Sequence, residues 1–132
     1  MSKPFKNTPA AILMTERIQD LRGRKSQAQI AQEAGFINAN VISLLKSGAN
    51  KIPLDRVPDL ARALEVDPAR FMRLAIEQAI GPIATKAVLS AFGTPISENE
   101  LLWIGEIREA SGDIDPRPTA KGRAAIRALF GK

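Results

Sequence analysis

The sequence contains no cysteine, no histidine and no tyrosine, and only one tryptophan. Without cysteine the chain has no disulfide and no thiolate for a metal ion, and without histidine it lacks the commonest metal ligand and general base. These absences exclude zinc sites, cysteine nucleophiles and hydrolytic triads. We therefore expect no cofactor, no metal and no enzymatic activity, because Ser43 would have only lysine as a base for nucleophilic catalysis.

Long apolar runs are also missing. The longest, Ala10–Met14, is far too short to span a bilayer or to form the core of a signal peptide. A length of 132 residues with 45% apolar and 25% charged residues suits one domain, or a small domain with an appendage. The expected protein is soluble and cytoplasmic.

The positive charge is concentrated in the first part of the chain. The formal net charge is +5, and residues 1–52 carry eight Lys or Arg against three Asp or Glu. Residues 53–80 carry four against five and residues 81–132 seven against six, so both are close to neutral. This distribution favours an anionic partner for the N-terminal part.

Helix signals recur along the chain, and no stretch alternates apolar and polar residues in the manner of a strand, so the sequence predicts an all-α fold. N-cap residues such as Thr8, Ser26, Asp67 and Ser97, with glycines at helix ends, delimit the helices. The predicted helices are Ala10–Arg22, Gln27–Ala34, Asn40–Ser47, Asp55–Glu65, Pro68–Gly81, Ile83–Phe92, Glu98–Ala110 and Thr119–Phe130. They indicate an N-terminal arm (1–9), a five-helix domain (10–80) and a helical C-terminal extension (81–132).

Three segments together resemble a known family. They are Ser26–Gly35 (SQAQIAQEAG), Val41–Gly48 (VISLLKSG) and, after Pro53, Leu60–Val66 (LARALEV). In this order and spacing they are similar to the Cro/cI-type (XRE, lambda-repressor-like) helix-turn-helix regulators, over about residues 10–75. The resemblance implies a bacterial or phage transcription regulator that binds specific sequences in double-stranded DNA, is nucleoid-associated and forms a homodimer.

The resemblance also implies which residues read bases. The helix near 39–47 would enter the major groove and present Asn38, Ala39, Asn40 and Ser43 to base edges. Asparagine can bond bidentately to adenine, and alanine can contact a thymine methyl group. Asn38 and Asn40 equally suit a turn and an N-cap, and one extra residue before this helix leaves the register of Asn38 and Ala39 open.

A second group of residues would contact the DNA backbone. The family's phosphate-contacting glutamine matches Gln27, whose alternative is a solvated side chain. The other candidates lie in the basic loop between the first two helices and at the end of the helix near 39–47. The alternative for these residues is that they form an ordinary solvated face without a DNA contact. The candidates are Arg24, Lys25, Ser26, Gln27, Lys46, Ser47, Asn50 and Lys51, with the charged ones expected on the side of the Gln27 helix start. Lys3–Lys6 could track the duplex, but disorder is the favoured expectation.

Charge is segregated in the C-terminal extension. Residues 97–116 hold six acids and one base, whereas residues 117–132 hold five bases and no acid. An antiparallel helix pair would complement these charges, within one chain or across a dimer. The large apolar residues around Trp103 predict packing on more than one side of their helix. We rank intramolecular core or dimerisation first, contact with RNA polymerase or another regulator second, and extra DNA contact third.

One alternative function comes from a different class. The chain could be a protein-interaction module, such as an antitoxin or a polymerase-contacting adaptor that also binds DNA. An apolar tail that becomes ordered only with its partner would favour that alternative.

Overall fold

The computed structural model describes residues 2–93 and 97–132. Every regular element in these two ranges is a helix, so the predicted all-α class is confirmed. A 3-10 helix, Leu54–Arg56, precedes the fourth α-helix. The α-helices are α1 Pro9–Leu21, α2 Gln27–Glu33, α3 Asn40–Lys46, α4 Val57–Leu64, α5 Pro68–Phe92, α6 Glu98–Ser111 and α7 Ala120–Leu129. The chain divides into two compact units, of which the first ends at Gly93 and the second contains α6 and α7.

Four predicted N-cap residues start their helices. Side-chain oxygens of Thr8, Ser26, Asp67 and Ser97 accept a backbone N–H from the first turn of α1, α2, α5 and α6. These bonds satisfy amides that have no partner inside the helix, which is why the predicted and observed starts agree closely.

The start of α3 is built differently. Ala39 occupies the N-cap position and makes no side-chain cap, while Oδ1 of Asn38 accepts the N–H of Asn40 at 2.9 Å. The interpretation of Asn40 as an N-cap is therefore wrong, and Asn38 performs that role from one residue earlier.

The first unit has one hydrophobic core that joins α1 to the first half of α5. Helix α1 packs against α3, α4 and α5, and α2 packs against α3 and α4. Phe71 and Leu64 are fully buried in it. Met14 and Ile52 are also buried, although the sequence pattern did not mark them as core residues.

Helix α5 is interrupted at Gly81-Pro82, where the sequence predicted that one helix ends and another begins. Gly81 has φ 85° and ψ 164°, which are non-helical values, so α5 consists of two helical segments joined at a kink. Glycine tolerates this positive φ, and Pro82 fits because a proline has no N–H to leave unpaired. The Thr85 hydroxyl donates to the Gly81 carbonyl at 2.7 Å. The predicted break between the helices on either side of Gly81 is thus confirmed.

The N-terminal segment packs on the end of α3, so its predicted disorder is wrong. The Phe5 N–H donates to the Gly48 carbonyl at 2.8 Å, and Gly48, with φ +80°, lies against the backbone of Phe5 and Lys6. Gln78 ties this segment to α5. Its amide accepts the Ile52 N–H at 2.7 Å and donates to Thr8 Oγ1 at 2.9 Å.

The second unit is an open pair of helices. The rings of Trp103 in α6 and Phe130 after α7 meet edge to face at 6.1 Å. The predicted capping box is present at Ser97 and Glu100. Neither helix has a buried residue, so the apolar face of this pair is uncovered. In the ranges that the structure describes, no helix combines the length and apolar character needed to cross a membrane.

Candidate nucleic-acid interface

Three candidate residues from two helices form one hydrogen-bonded group, here called the Gln27 cluster. Nε2 of Gln27, at the start of α2, donates to Ser43 Oγ at 2.9 Å. Nζ of Lys46 donates to Gln27 Oε1 at 2.6 Å. Both ends of the Gln27 amide are therefore engaged, and the side chain is not simply solvated. The cluster fixes the polar face of α3 relative to the start of α2.

The start of α3 presents side chains to solvent. Asn38 and Asn40 are exposed, and Ala39 and Ser43 are half-buried. The predicted base-reading residues therefore divide into two reachable asparagines and two shielded positions. Ile37, immediately before them, is completely exposed at 106% of its reference area. An exposed isoleucine in a turn is an apolar group available to a ligand, and sequence reasoning missed it.

Three lysines surround a groove of about 400 Å3 between the N-terminal segment and the end of α3. Lys3 and Lys6 of the N-terminal segment and Lys46 of α3 line it together with Glu16 of α1. In the described residues, no carboxylate oxygen lies within 4.0 Å of these three ammonium groups. The Thr15 hydroxyl donates to the Lys46 carbonyl at 3.1 Å and holds α3 against α1. Lys3 and Lys6 thus extend the positive charge beside the Gln27 cluster.

The basic loop before α2 is engaged elsewhere. Nζ of Lys25 lies 2.9 Å from Glu33 and 3.3 Å from Glu65, and donates to the Ala63 carbonyl at 2.9 Å. Nη2 of Arg24 lies 3.2 Å from Glu65. These bonds stabilise the C-terminal end of α4, where free carbonyls attract cations. Lys25, with 14% of its side chain exposed, does not offer a free amine to a phosphate.

The same ion pairs shift two pKa values. The hydrogen bond that Lys25 donates to Glu33, reinforced by Glu65, raises the pKa of Lys25 above its ordinary value of 10.5 although partial desolvation opposes it. Arg24 first and Lys25 second lower the pKa of Glu65 below its ordinary 4.5. Both groups are therefore charged near neutral pH. Arg17 adds a third cation here, because its Nε donates to the Leu64 carbonyl at 3.0 Å.

The other residues predicted to contact the DNA backbone differ in whether their side chains already make hydrogen bonds within the protein. Ser26 Oγ caps α2 by accepting the Gln29 N–H at 3.1 Å. Ser47 Oγ donates to the Leu44 carbonyl at 3.3 Å. Asn50 and Lys51 are exposed just after α3. Asn50 and Lys51 are thus the more available pair.

Arg56 fixes the turn between α2 and α3, and no sequence signal marked it. Its Nη2 donates to the carbonyls of Ala34 and Gly35 at 3.3 and 2.8 Å. Its guanidinium lies 4.4 Å from the centre of the Phe36 ring. These contacts position the segment that presents Ile37.

In comparisons with known proteins, no family model, curated protein or solved structure matches this chain. The arrangement around the Gln27 cluster therefore carries the functional interpretation.

Proposed function

We propose that the protein is a transcription regulator that binds specific sequences in double-stranded DNA. The proposal takes α1–α4 and the first half of α5 as a five-helix, lambda-repressor-like helix-turn-helix domain, with α3 in the major groove. The observation that carries it is the Gln27 cluster. A reading helix must be held rigidly while its exposed start faces a ligand, and the bonds from Gln27 to Ser43 and Lys46 meet that requirement.

The chemistry at the start of α3 suits base edges. Asn38 and Asn40 carry amides that can pair with adenine, and Ile37 and Ala39 carry alkyl groups that can contact thymine methyls. Asn40 is the principal base-reading residue in this proposal, because Asn38 already spends its Oδ1 on the backbone.

The chemistry beside α3 suits phosphates. Lys46 pairs with a neutral amide rather than a carboxylate, so its charge remains available. Lys3 and Lys6 flank the same groove, and Asn50 and Lys51 follow α3. Lysine and asparagine side chains at these positions would fix the register of the protein without reading sequence.

A second candidate function is a protein-interaction module, such as an antitoxin or an adaptor that contacts RNA polymerase and also binds DNA. The exposed apolar side chains of α6 and α7 favour it. It differs from the first proposal because its defining partner is a protein, which α6 and α7 would bind.

Salt-dependent DNA binding by the full chain tests the proposal. Each phosphate contact by a lysine releases about 0.9 counterion, so the slope of log affinity against log salt should become less steep by about 0.9 in Lys46→Gln. The matched control is Lys86→Gln, which removes the same charge from the exposed second half of α5. Equal slopes for the two variants would contradict a phosphate contact at Lys46.

A further inference from the structure

The second unit contains an apolar groove that its own two helices do not fill. Its volume is about 660 Å3, and its apolar lining comes from Trp103 and Ile107 of α6 and from Ile126, Leu129 and Phe130 at the other helix. About half or more of each of these side chains is exposed, from 49% for Ile107 to 65% for Leu129.

Two short helices with this exposure are not a stable unit in water. An isolated helix of fewer than about 12–15 residues is marginal, and α6 and α7 have 14 and 10 residues. Neither buries a residue, so packing between them supplies little stabilisation. Something else must cover the groove when the helices are folded.

Charged side chains of opposite sign lie beside the groove. Glu100 and Glu106 stand on the α6 side. On α7, Arg123 lies one turn before Ile126 and Arg127 directly after it, so both flank the apolar stripe. Within residues 97–132 no carboxylate of α6 lies within 4.0 Å of a basic group of α7. The acidic helix and the basic helix thus have complementary charge that the hairpin itself does not use.

We propose that this groove is covered by a second copy of the same chain. Helix α6 of one copy packs against α7 of the other, and Glu106 of each copy faces Arg123 and Arg127 of the other. One surface carries both the acidic and the basic half, with apolar side chains between them, which is the self-complementary pattern of a two-fold interface. Trp103 lies at the centre as the main apolar anchor.

This inference goes beyond the proposed function and does not depend on it, because the association requires no DNA. A second copy also suits the observed charge better than an unrelated partner. A partner of one sign would complement only one of the two helices.

Sedimentation of the full chain tests the apolar part. The wild-type chain should sediment as a dimer at micromolar concentration, and Trp103→Ala should weaken the dimer at least about tenfold, since a central aromatic anchor usually carries more than 1.4 kcal/mol. The matched control is Leu101→Ala on the same helix. Leu101 is 51% exposed but does not line the groove, so its loss should leave the dimer unchanged.

Charge reversal tests the pairing between copies. Glu106→Lys should weaken the dimer, and so should the double variant Arg123→Glu with Arg127→Glu, because each places like charges opposite one another. Glu109→Lys is the matched control for Glu106→Lys, since it makes the same charge change outside the groove lining, and Lys121→Glu controls for reversing a base elsewhere on α7. An equimolar mixture of the two weakened variants should form a heterodimer, because lysine on one copy then faces glutamate on the other.

The mixture also provides the decisive negative results. If the acids and bases paired within one hairpin, mixing the variants would restore nothing, and the proposal would be wrong. A wild-type chain that sediments as a monomer, with Trp103→Ala lowering its helix content by circular dichroism, would show instead that the groove is covered within one chain. A dimer that is unaffected by all three variants would place the interface elsewhere and overturn the proposal equally.

Discussion

At the scale of single residues, the sequence identified the members of the Gln27 cluster but not their bonds. Ser43 and Lys46 are three residues apart on α3 and therefore share a face, which spacing alone predicts. Their contacts with Gln27 depend on how α2 and α3 pack, and no local pattern encodes that packing. The same limit explains Ile37 and Arg56, whose roles follow from the turn between these helices rather than from their own residue types.

Asn40 and Asn38 should separate base reading from capping. Asn40→Ala should relax sequence preference at one base pair, by roughly 1–3 kcal/mol of discrimination, and leave the free energy of unfolding nearly unchanged. Asn38→Ala should lower the free energy of unfolding by about 1 kcal/mol, because it removes the bond to the Asn40 N–H. Competition binding with substituted duplexes and urea denaturation measure the two effects. A loss of stability confined to Asn40→Ala would contradict the assignment.

At the scale of helices, local signals predicted starts well and connections poorly. Thr8, Ser26 and Ser97 cap helices through contacts within three residues, so their roles are readable from sequence. The break in α5 at Gly81 was also predicted, because glycine followed by proline usually ends a helix. The N-terminal segment was expected to be disordered, but its Phe5 N–H binds the Gly48 carbonyl. A local sequence pattern cannot predict a bond between residues more than forty positions apart.

Gly48 should tolerate alanine less well than Gly23. Both have positive φ, +80° and +108°, and an alanine at either costs about 1–2 kcal/mol of backbone strain. A Cβ at Gly48 would also overlap the backbone of Lys6, whereas a Cβ at Gly23 meets nothing within 4 Å. Gly48→Ala should therefore lower the urea midpoint clearly more than Gly23→Ala. Equal midpoints would mean that the N-terminal segment does not pack on α3 in solution.

The end of α4 should make stability depend on pH. The pKa of Glu65 is lowered, so its ion pairs stabilise the fold above about pH 4.5 and are lost as the pH falls through the folded-state pKa. The pKa of Lys25 is raised, so its contribution is complete below pH 10.5 and is lost only as the pH rises through the folded-state value. Glu65→Gln should thus be less stable than wild type at pH 7, with the difference shrinking below pH 4.5.

Glu77→Gln is the control for that comparison, because Glu77 takes part in no ion pair in the described residues. Thermal unfolding from pH 3 to pH 8 gives the profiles. If the difference in stability between Glu65→Gln and wild type stayed constant over this range, the pKa of Glu65 would be the same in the folded and unfolded states, which would contradict the prediction.

At the scale of the whole molecule, the sequence predicts which part of the chain holds the excess of basic residues. It does not predict which of these residues form ion pairs and which do not. The excess of bases in residues 1–52 is a count, available from the sequence. The structure uses Lys25 and Arg24 to stabilise the end of α4 and leaves Lys3, Lys6 and Lys46 around one groove. That division depends on Glu33 and Glu65, which the fold brings together from different helices.

Selection of bound sites from random DNA duplexes by the full chain, at physiological salt, tests the central claim most directly. If α3 reads base edges from the major groove, the retained duplexes should converge on one short sequence, and Asn40→Ala should lose preference at a single position of it. Retained duplexes with the same base composition as the starting pool at every position, or no retained duplex at all, would contradict sequence-specific binding.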